Sequence, residues 1–383
     1  MSLLDRTLPE PNFVDRDADA ITRDLVRLYE ELTGLTLYPA QAERLLVNVI
    51  AYRDKLMREA IQDAAKLNLV RYSRAPILDY LGENIGVPRL SAAPALCTLR
   101  FTFTAAPLVN TAIAAGTVVA AGGGGAATTL MFATTNAATV PAGSLTYDVP
   151  ATCQTVGAKG NGFVAGQVNK LQSATPGLQV TNVANTNTTS AGADAENDDR
   201  LKQRIVLAPE QFSNAGSIEA YKFFSLGANA DIIDVEVISP TPGEVAIYPL
   251  MRNGGSYGLP SAAVLGQVLA ACNGERVRPL CDTVTSNTPV TRPFALTVQL
   301  TLYSGADVAI AQDLATKAAN AYLTRVTGKL GVDVVPSQIE SAMDVYGVYR
   351  VAVVSPAAPL VLEKNEWPQC TAVTITVVGE VQG

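Results

Sequence analysis

The sequence contains no histidine among its 383 residues. Histidine is the commonest general base, the commonest metal ligand and the side chain that titrates nearest to neutral pH. Its absence excludes a Ser-His-Asp or Cys-His catalytic site formed by this chain alone. Tryptophan occurs once, at Trp367, so there is no set of indole rings on which a sugar could stack.

Cysteine is scarce and follows no metal-binding pattern. The five cysteines are Cys97, Cys153, Cys272, Cys281 and Cys370, and no two of them form a CxxC pair. A zinc site would need closer ligand spacing or histidine partners. The odd count and the wide spacing favour buried, reduced thiols in all five positions.

Acidic residues cluster at Asp194, Glu196, Asp198 and Asp199. Carboxylates at alternate positions resemble a calcium loop, but the later bidentate glutamate and the correctly placed glycine are missing. Acids at the start of a predicted helix have a simpler role, which is to complement the helix dipole and to cap free N–H groups. We therefore predict no catalytic residue, no metal site and no cofactor, and a protein that is not an enzyme.

Charge is low overall and almost absent from one tract. Charged residues make up 16% of the chain, against about 25% in an average soluble protein. The net charge of −7 argues against nucleic acid as a partner. Residues 101–193 hold only Asp148, Lys159 and Lys170, whereas residues 1–100 hold 27 charged side chains. A surface without charge suits a part that packs into a larger assembly.

The uncharged tract does not have the composition of a membrane segment. Ala, Thr, Gly and Asn fill it, rather than Leu, Ile and Phe, and no window reaches eighteen strongly apolar residues. The opening residues, 1–13, mix Asp5, Arg6 and Glu10 with short apolar runs, which is not the pattern of a signal peptide. We therefore predict no membrane insertion.

The first ninety residues are predicted to be helical. One helix is expected over Asp15–Leu32 and a longer one over Ala40–Val70, because apolar residues recur there at helical spacing. The longer helix carries two adjacent apolar stripes, which together are wider than a lone surface helix needs. This face is buried either within its own domain or in a bundle with helices of other chains. The residues we assign to a partner-helix bundle are Leu45, Val49, Tyr52, Leu56 and Ile61.

From Thr98 onward the hydrophobic period changes to two. Short strands joined by glycine-containing turns are predicted as far as Val183, and helices alternate with strands after that. The predicted fold class is a multidomain α+β protein with an N-terminal helical arm, a central β-rich domain and a C-terminal pair of α+β units. The predicted boundaries are 1–90 for the arm, 91–190 for the β-rich domain, 191–290 for one α+β domain and 291–383 for the C-terminal α+β domain.

Several short phrases follow one another in a distinctive order. They are Leu78-Asp79-Tyr80-Leu81-Gly82, Gly86-Val87-Pro88-Arg89, Ala93-Pro94-Ala95, Ile113-Ala114-Ala115-Gly116-Thr117, Phe132-Ala133-Thr134-Thr135, Val140-Pro141-Ala142-Gly143-Ser144, Gly157, Gly160-Asn161, Val180-Thr181-Asn182, Gly192-Ala193-Asp194-Ala195-Glu196, Asp199-Arg200-Leu201, Arg204-Ile205, Ala215-Gly216-Ser217, Ala220-Tyr221 and Arg276-Val277-Arg278-Pro279-Leu280. In this order, over roughly residues 78–280, the sequence resembles the baseplate J-like family, the wedge proteins of contractile-tailed phages and related injection machines. It departs from the family pattern at Ala114, where proline is frequent, and in the glycine-rich loop at 121–129.

The resemblance implies a structural role. It implies that two copies of the chain pair with a smaller wedge protein, and that six wedges close a ring around a central hub and spike. N-terminal helices would join a mixed bundle near the hub, and the C-terminal domain would pair subunits. The ring would contact sheath-initiating baseplate proteins, and its change of shape would trigger sheath contraction. The implied location is the tail baseplate of a virion or a phage-derived particle, assembled in the cytoplasm of the bacterial host.

Two other classes of protein stay open at this point. The Thr/Ala/Gly tract would permit a β-rich tail fibre or an adhesin-like surface protein, although fibres seldom begin with seventy residues of charged amphipathic helix. A tail-associated hydrolase that digests cell wall is a further alternative, against which the lack of histidine and of a marked acid pair both argue.

Overall fold

The computed structural model describes residues 8–121, 129–212, 217–253, 256–274, 277–279 and 281–382. The chain divides into two compact units, Met1–Arg89 with Asn197–Ala208, and Leu90–Glu196 with Pro209–Gly383. Eight helices and fifteen strands occur in the described part, which confirms the predicted mixed α+β class. The predicted division into four domains stays a prediction. Most of the glycine-rich loop at 121–129 and parts of two family-like phrases (215–216, 276 and 280) lie outside the described residues.

The first unit is helical. Its helices are α1 Ala18–Thr33, α2 Ala42–Leu67, α3 Ile77–Glu83 and α4 Asp198–Leu207. Helix α1 begins where the Asp17 carboxylate accepts the N–H groups of Asp19 and Ala20. It ends at Gly34, whose φ of 69° is the left-handed conformation that favours glycine. The two helices predicted over Asp15–Leu32 and Ala40–Val70 therefore form within a few residues of their predicted ends.

Glycines at two positions allow the turn after α3 to fold back closely. The Gly82 carbonyl accepts the Val87 N–H at 2.8 Å, and a Cβ on Gly82 would collide with the Val87 carbonyl oxygen. Gly86 takes a φ of 73°. Leu78 and Val87 are consequently buried in the same unit as Leu201 and Ile205 of α4. This close packing explains why the phrase from residue 78 to 89 needs its glycines.

The residues 90–196 of the second unit form a sheet of short strands. These are β1 Pro94–Phe103, β2 Thr111–Ile113, β3 Val118–Ala121, β4 Met131–Thr134, β5 Ala138–Val140, β6 Thr146–Val156, β7 Val168–Leu171 and β8 Val180–Asn185, with a 3-10 turn at Ala158–Gly160. Six of the strands form one antiparallel sheet in the order β7-β3-β4-β6-β1-β8, and β2 pairs with β5. Alternate side chains of β1, among them Leu99 and Phe101, are fully buried in the core of this sheet.

One side chain joins the two ends of this sheet. The Asn185 carboxamide, on β8, accepts the N–H of Val168 on β7 at 2.9 Å. The same carboxamide donates to the carbonyls of Phe163 and Val164 at 3.2 and 3.0 Å. The Asn185 main-chain carbonyl also accepts the Gly166 N–H at 2.9 Å. The buried Asn185 side chain thus connects β7 and β8, the two end strands of the sheet, in place of regular backbone pairing. We call these contacts of Asn185 the Asn185 clasp.

The uncharged tract is neutral both in the core and on the surface. Arg100 and Asp148 lie directly opposite each other on β1 and β6, and their two side-chain contacts are both 2.7 Å. Hydrogen bonding to Arg100 holds the pKa of Asp148 below its usual value. The loop residue Leu108 is 96% exposed in the single chain. Most exposed side chains of residues 101–193 are uncharged, so the low charge of this domain is a feature of its surface as well as of its core.

The residues 209–383 of the second unit alternate helices with strands. The elements are α5 Ile218–Ala228, β9 Ile232–Ile238, β10 Glu244–Asn253, β11 Ser256–Gly258, α6 Ala262–Cys272, β12 Thr283–Ser286, β13 Val290–Tyr303, α7 Val308–Thr327, α8 Pro336–Ala342, β14 Val348–Ser355 and β15 Glu366–Val381, and a 3-10 segment precedes them at Ala208–Phe212. Strands β9 and β11 pair antiparallel with β10, and β12 pairs with it in parallel. A second sheet has the order β14-β13-β15. The predicted pair of α+β units is confirmed.

The expectation that all five cysteines are buried is wrong. Cys97, Cys153 and Cys272 are buried free thiols, but Cys281 is exposed and Cys370 is half-buried. Burial raises the pKa of Cys272 to about 11, so that this thiol stays protonated and unreactive at neutral pH. The sequence around Cys281 gives no sign of its exposure, because it follows an apolar residue and precedes a strand.

A small core joins the two α+β parts of the second unit. Leu250, Leu330 and Trp367 are buried together, and the Trp367 ring N–H donates to the Thr327 carbonyl at 2.7 Å. Beside this core, the Asp234 carboxylate accepts the Leu330 N–H at 2.8 Å. Burial raises the pKa of Asp234 above the usual value of 3.8, nearby Glu236 acts in the same direction, and Lys222 opposes it.

We expect Asp234→Asn to make the protein more stable than the wild type at neutral pH. The carboxylate's pKa is raised on folding, so the wild type loses stability as pH rises from about the unfolded value towards the raised one. Below the pH at which an unfolded aspartate titrates, both proteins carry a neutral group, and the difference in stability should disappear. Thermal melts between about pH 3 and pH 8 measure the difference. Asp234→Ala is the control, since it removes the acceptor for Leu330 and should be destabilising throughout; an Asn variant with no pH-dependent gap contradicts the account.

Candidate partner-binding surface

The inner side of α2 packs against α1 and the segment before it through few apolar side chains. Val47 and Ala51 of α2 and Ile21 of α1 are buried. Gln62 is also buried: its side-chain oxygen accepts the Phe13 N–H at 2.9 Å, and its side-chain amide donates to the Pro11 carbonyl at 2.7 Å. A buried amide with both ends satisfied fixes the position of residues 11–13 along the helix.

Charged side chains of α2 are also used on this inner side. Arg16 pairs with Glu59 at 3.3 Å and Glu10 pairs with Lys66 at 2.9 Å. Within α2, Arg58 pairs with Asp54 at 3.0 Å, and it donates to the Asp15 carbonyl at 3.1 Å. The hydrogen bond from Lys66 lowers the pKa of Glu10. The side of α2 that faces its own chain is therefore unusually polar for a helix–helix contact.

The outer side of α2 is apolar and open to solvent. Eight large apolar side chains on this side are each 43–63% exposed in the single chain, namely Leu45, Leu46, Val49, Ile50, Tyr52, Leu56, Met57 and Ile61. At 100° per residue they cover about half of the helix circumference. We call this set the outer face of α2. An ordinary surface helix has the opposite arrangement, with its apolar side inward and its charged side in water.

All five residues that the sequence assigned to a partner bundle lie on the outer face of α2. Leu45, Val49, Tyr52, Leu56 and Ile61 are brought together on one side of the helix and are exposed. Burial of this face within its own domain, the first of the two sequence interpretations, is therefore wrong. Contact with helices of other chains stays a prediction.

Sequence reasoning missed part of the apolar surface on α1 and the connection that follows it. Leu28 and Leu32 of α1 and Leu35 and Tyr38 of the connection are exposed by half or more. Ile21 and Leu25 belong to the same stripe as Leu28 and Leu32, and spacing alone does not distinguish the packed half of the stripe from the open half. The sequence feature that could have indicated this surface is the short connection between Thr33 and Ala42. It keeps the end of α1 and the connection itself near the N-terminal end of α2.

The acidic cluster does not have the geometry of a metal site. Asp194 accepts the Ala158 N–H at 3.0 Å, and Glu196 accepts the Leu90 N–H at 3.0 Å. Asp198 pairs with Arg89 at 2.7 Å, and the side chain that caps α4 is that of Asn197. Within the described ranges no group of three or more His, Cys, Asp or Glu side chains could hold a metal ion. The acids are used for backbone and arginine contacts.

No helix in the described part of the chain is both long and apolar enough to cross a membrane. The outer face of α2 is not an exception, because the same helix carries nine charged residues between Glu43 and Lys66. The apolar surface is one side of an otherwise charged helix, which suits contact with protein.

Three models of one family match successive parts of the chain. The barrel domain of the baseplate J-like proteins matches residues 98–192, their central domain matches 213–288 and their C-terminal domain matches 294–376. The chain belongs to the baseplate J-like family, as its sequence phrases indicated. The class of protein that follows is a structural baseplate protein.

Among known proteins, baseplate protein J of Escherichia phage P2 is 34% identical over 184 residues. The match covers 48% of this chain and 60% of that relative, so the chain spans about three-fifths of the relative's length. The cryo-EM structure of the anti-feeding prophage (AFP) baseplate, 6-fold symmetrised, aligns with 93% of this chain and 90% of its own, at a TM-score of 0.39 and 11% identity. A TM-score this low supports no conclusion about the chain.

Proposed function

We propose that the chain is a wedge subunit in the baseplate of a contractile phage tail or of a phage-derived injection device. In this proposal it forms part of a ring around the central hub and transmits the trigger for sheath contraction. The observation that carries the proposal is the outer face of α2, which exposes eight large apolar side chains. On the inner side, Asp54, Arg58, Glu59 and Lys66 of the same helix form ion pairs.

The size of this face fits a helical bundle with other chains. With 26 residues at 1.5 Å each, α2 is about 39 Å long, and apolar side chains extend from Leu45 to Ile61 along it. Soluble monomers rarely expose a contiguous apolar patch larger than a few hundred Å². Two adjacent stripes offer contact to more than one partner helix at once. The proposed partners in this bundle are a second copy of the chain and the smaller wedge protein.

The remaining contacts of the proposal concern the rest of the particle. The C-terminal α+β domain pairs subunits into a six-fold ring, and other surfaces meet the central hub, the spike and the sheath-initiating baseplate proteins. None of these contacts requires chemistry at a reacting atom. The proposal therefore includes no enzymatic step, no nucleic acid and no membrane insertion, and it places the chain in the baseplate after assembly in the bacterial cytoplasm.

Deletion of the gene in the strain that makes the particle tests the proposal against its two alternatives. We expect electron microscopy to find tail tubes or hubs but no sheathed, contractile tails, with recovery when the gene is supplied in trans. Normal tails that lack fibres and fail to adsorb would favour the fibre or adhesin alternative. Normal tails together with cell-wall digestion by the purified chain in a zymogram would favour the hydrolase alternative. Either of the last two results contradicts the wedge proposal.

A further inference from the structure

The last strand of the chain has a long free edge. Strand β15 pairs in parallel with β13 along one side, and it is the end strand of the order β14-β13-β15. No strand of the described part of the chain pairs with its other side. Residues 371–381 of this strand are mostly exposed. A free edge of this length is a row of unpaired N–H and C=O groups that can bond another strand.

The ladder to β13 identifies which amides face the free edge. In a parallel ladder a residue bonds to the two neighbours of its partner, so the partner's own amide points away. Leu296, Val298 and Leu300 of β13 direct their own N–H and C=O groups towards β15, so the N–H groups of their partners Val373, Ile375 and Val377 point to the free edge. The end of the ladder agrees with this assignment, because the N–H of Ser304, four residues after Leu300, donates to the Val381 carbonyl at 2.9 Å. The outward carbonyl of Ile375 is reached by the side-chain amide of Gln312 on α7, at 3.3 Å.

Lysine and proline, which often protect a free edge, are missing here, and the ladder to β13 is regular between its two register shifts, at residues 371 and 378. From residue 371 to residue 382 there is no lysine and no proline, and Glu380 is the one charged residue. Five consecutive residues, 374–378, read Thr-Ile-Thr-Val-Val, a run with high β-propensity and no charge. Val373, Val378 and Val381 are exposed beside the edge. Soluble proteins avoid such an edge unless another chain covers it.

We propose that the free edge of β15 pairs with the same edge of a second copy, antiparallel and about a two-fold axis. The pairing joins two three-stranded sheets into one six-stranded sheet in the order β14-β13-β15-β15-β13-β14. This pairing specifies which edge of the C-terminal domain joins two subunits, and it rests on the subunit pairing proposed above for that domain. Eleven residues at about 3.3 Å each give a paired length of about 36 Å.

Charge and symmetry both favour a second copy, and an antiparallel one. A nearly uncharged strand carries no charge pattern with which to select a foreign partner, and it does not repel its own copy. Antiparallel pairing places the Glu380 side chains at opposite ends of the joint, whereas parallel pairing would set them side by side. A two-fold contact also removes both free edges at once and forms a closed assembly.

Sedimentation equilibrium of the full chain tests the pairing. The outer face of α2 could also associate, so all variants are measured in a background with Val49→Asp and Leu56→Asp. We expect that background to dimerise at micromolar to tens of micromolar concentration. Val373→Pro removes one outward N–H from the free edge, and Val373→Lys places a charge beside it; each should weaken dimerisation by about tenfold or more. Val361→Lys, on an exposed loop, is the matched control and should dimerise normally.

Hydrogen exchange separates pairing from misfolding. The amides of Val373, Ile375 and Val377 should exchange more slowly as the concentration of the chain rises, and this change should vanish in the Val373→Lys variant. The variants should keep the circular dichroism spectrum of the background. A chain that stays monomeric, or one that dimerises equally well with both Val373 variants, overturns the pairing. If either of these results is found and the wild-type chain still enters particles, the pairing of β15 is wrong and the proposed wedge role is unaffected.

Discussion

With aspartate at both Val49 and Leu56, the chain is expected to fold normally and to fail to enter the baseplate. Both residues lie in one stripe of the outer face of α2 and are exposed in the single chain. The substitutions therefore cost the free chain little, whereas in a bundle each carboxylate would be buried without a partner. A buried, unpaired charge costs several kcal/mol, so that two of them should lower the affinity for partner helices by about a thousandfold or more.

The measurement is complementation of a deletion strain, scored as contractile particles per cell and as incorporation of the chain. Asn48→Asp is the matched control, because Asn48 is an exposed neighbour of Val49 that lies outside the apolar stripes. It adds one negative charge to the same helix, half of what the double variant adds, and should assemble normally. Melting temperatures of the purified variants should stay within a few degrees of the wild type. Normal particle yield from the double variant would disprove the bundle assignment.

The second large effect is expected at the Asn185 clasp. Asn185→Leu should lower the free energy of unfolding of the β-rich domain by about 2 kcal/mol. The Val168 N–H loses its acceptor, and the carbonyls of Phe163 and Val164 each lose one donor and keep the N–H groups of Thr189 and Gln167. A buried polar group without a partner costs about 1–3 kcal/mol. Leucine resembles asparagine in size, so the loss arises mainly from hydrogen bonding.

Denaturant unfolding followed by tyrosine fluorescence or circular dichroism measures this change. Asn169→Ala is the control, since Asn169 is exposed and donates a single hydrogen bond to the nearby Gly166 carbonyl. It should change stability by less than about 0.5 kcal/mol. Asn185→Asp should lie between the two, because it keeps the acceptor for Val168 and loses the donor. An Asn185→Leu protein as stable as the control would mean that the two ends of the sheet are held by other contacts.

The helices and most strands could be predicted from the sequence because their signals are local. Asp17 and Gly34 mark the ends of α1, and the alternation from Thr98 to Thr104 marks β1. The Asn185 clasp could not be predicted, because it depends on which strands come together at the ends of a sheet. Helix α4 was predicted correctly as a helix, but nothing local indicated that it forms one compact unit with residues 1–89.

The apolar stripes of α2 were visible in the sequence, and their exposure was not. Periodicity identifies a face, but what covers that face depends on the elements that pack against the helix. Gln62 illustrates the difficulty, since a polar residue on a charged helix gave no reason to expect that it would be buried between Pro11 and Phe13. The inner and outer sides of α2 are therefore assigned by the structure alone.

The wedge role and the exposed face of α2 can be examined together in a cryo-EM reconstruction of the assembled particle. We expect density for this chain in a six-fold collar at the tail tip, with helices of other chains packed on Leu45, Val49 and Leu56 of α2. Density for the chain in protruding fibres, or a collar in which the outer face of α2 remains open to solvent, would contradict this expectation.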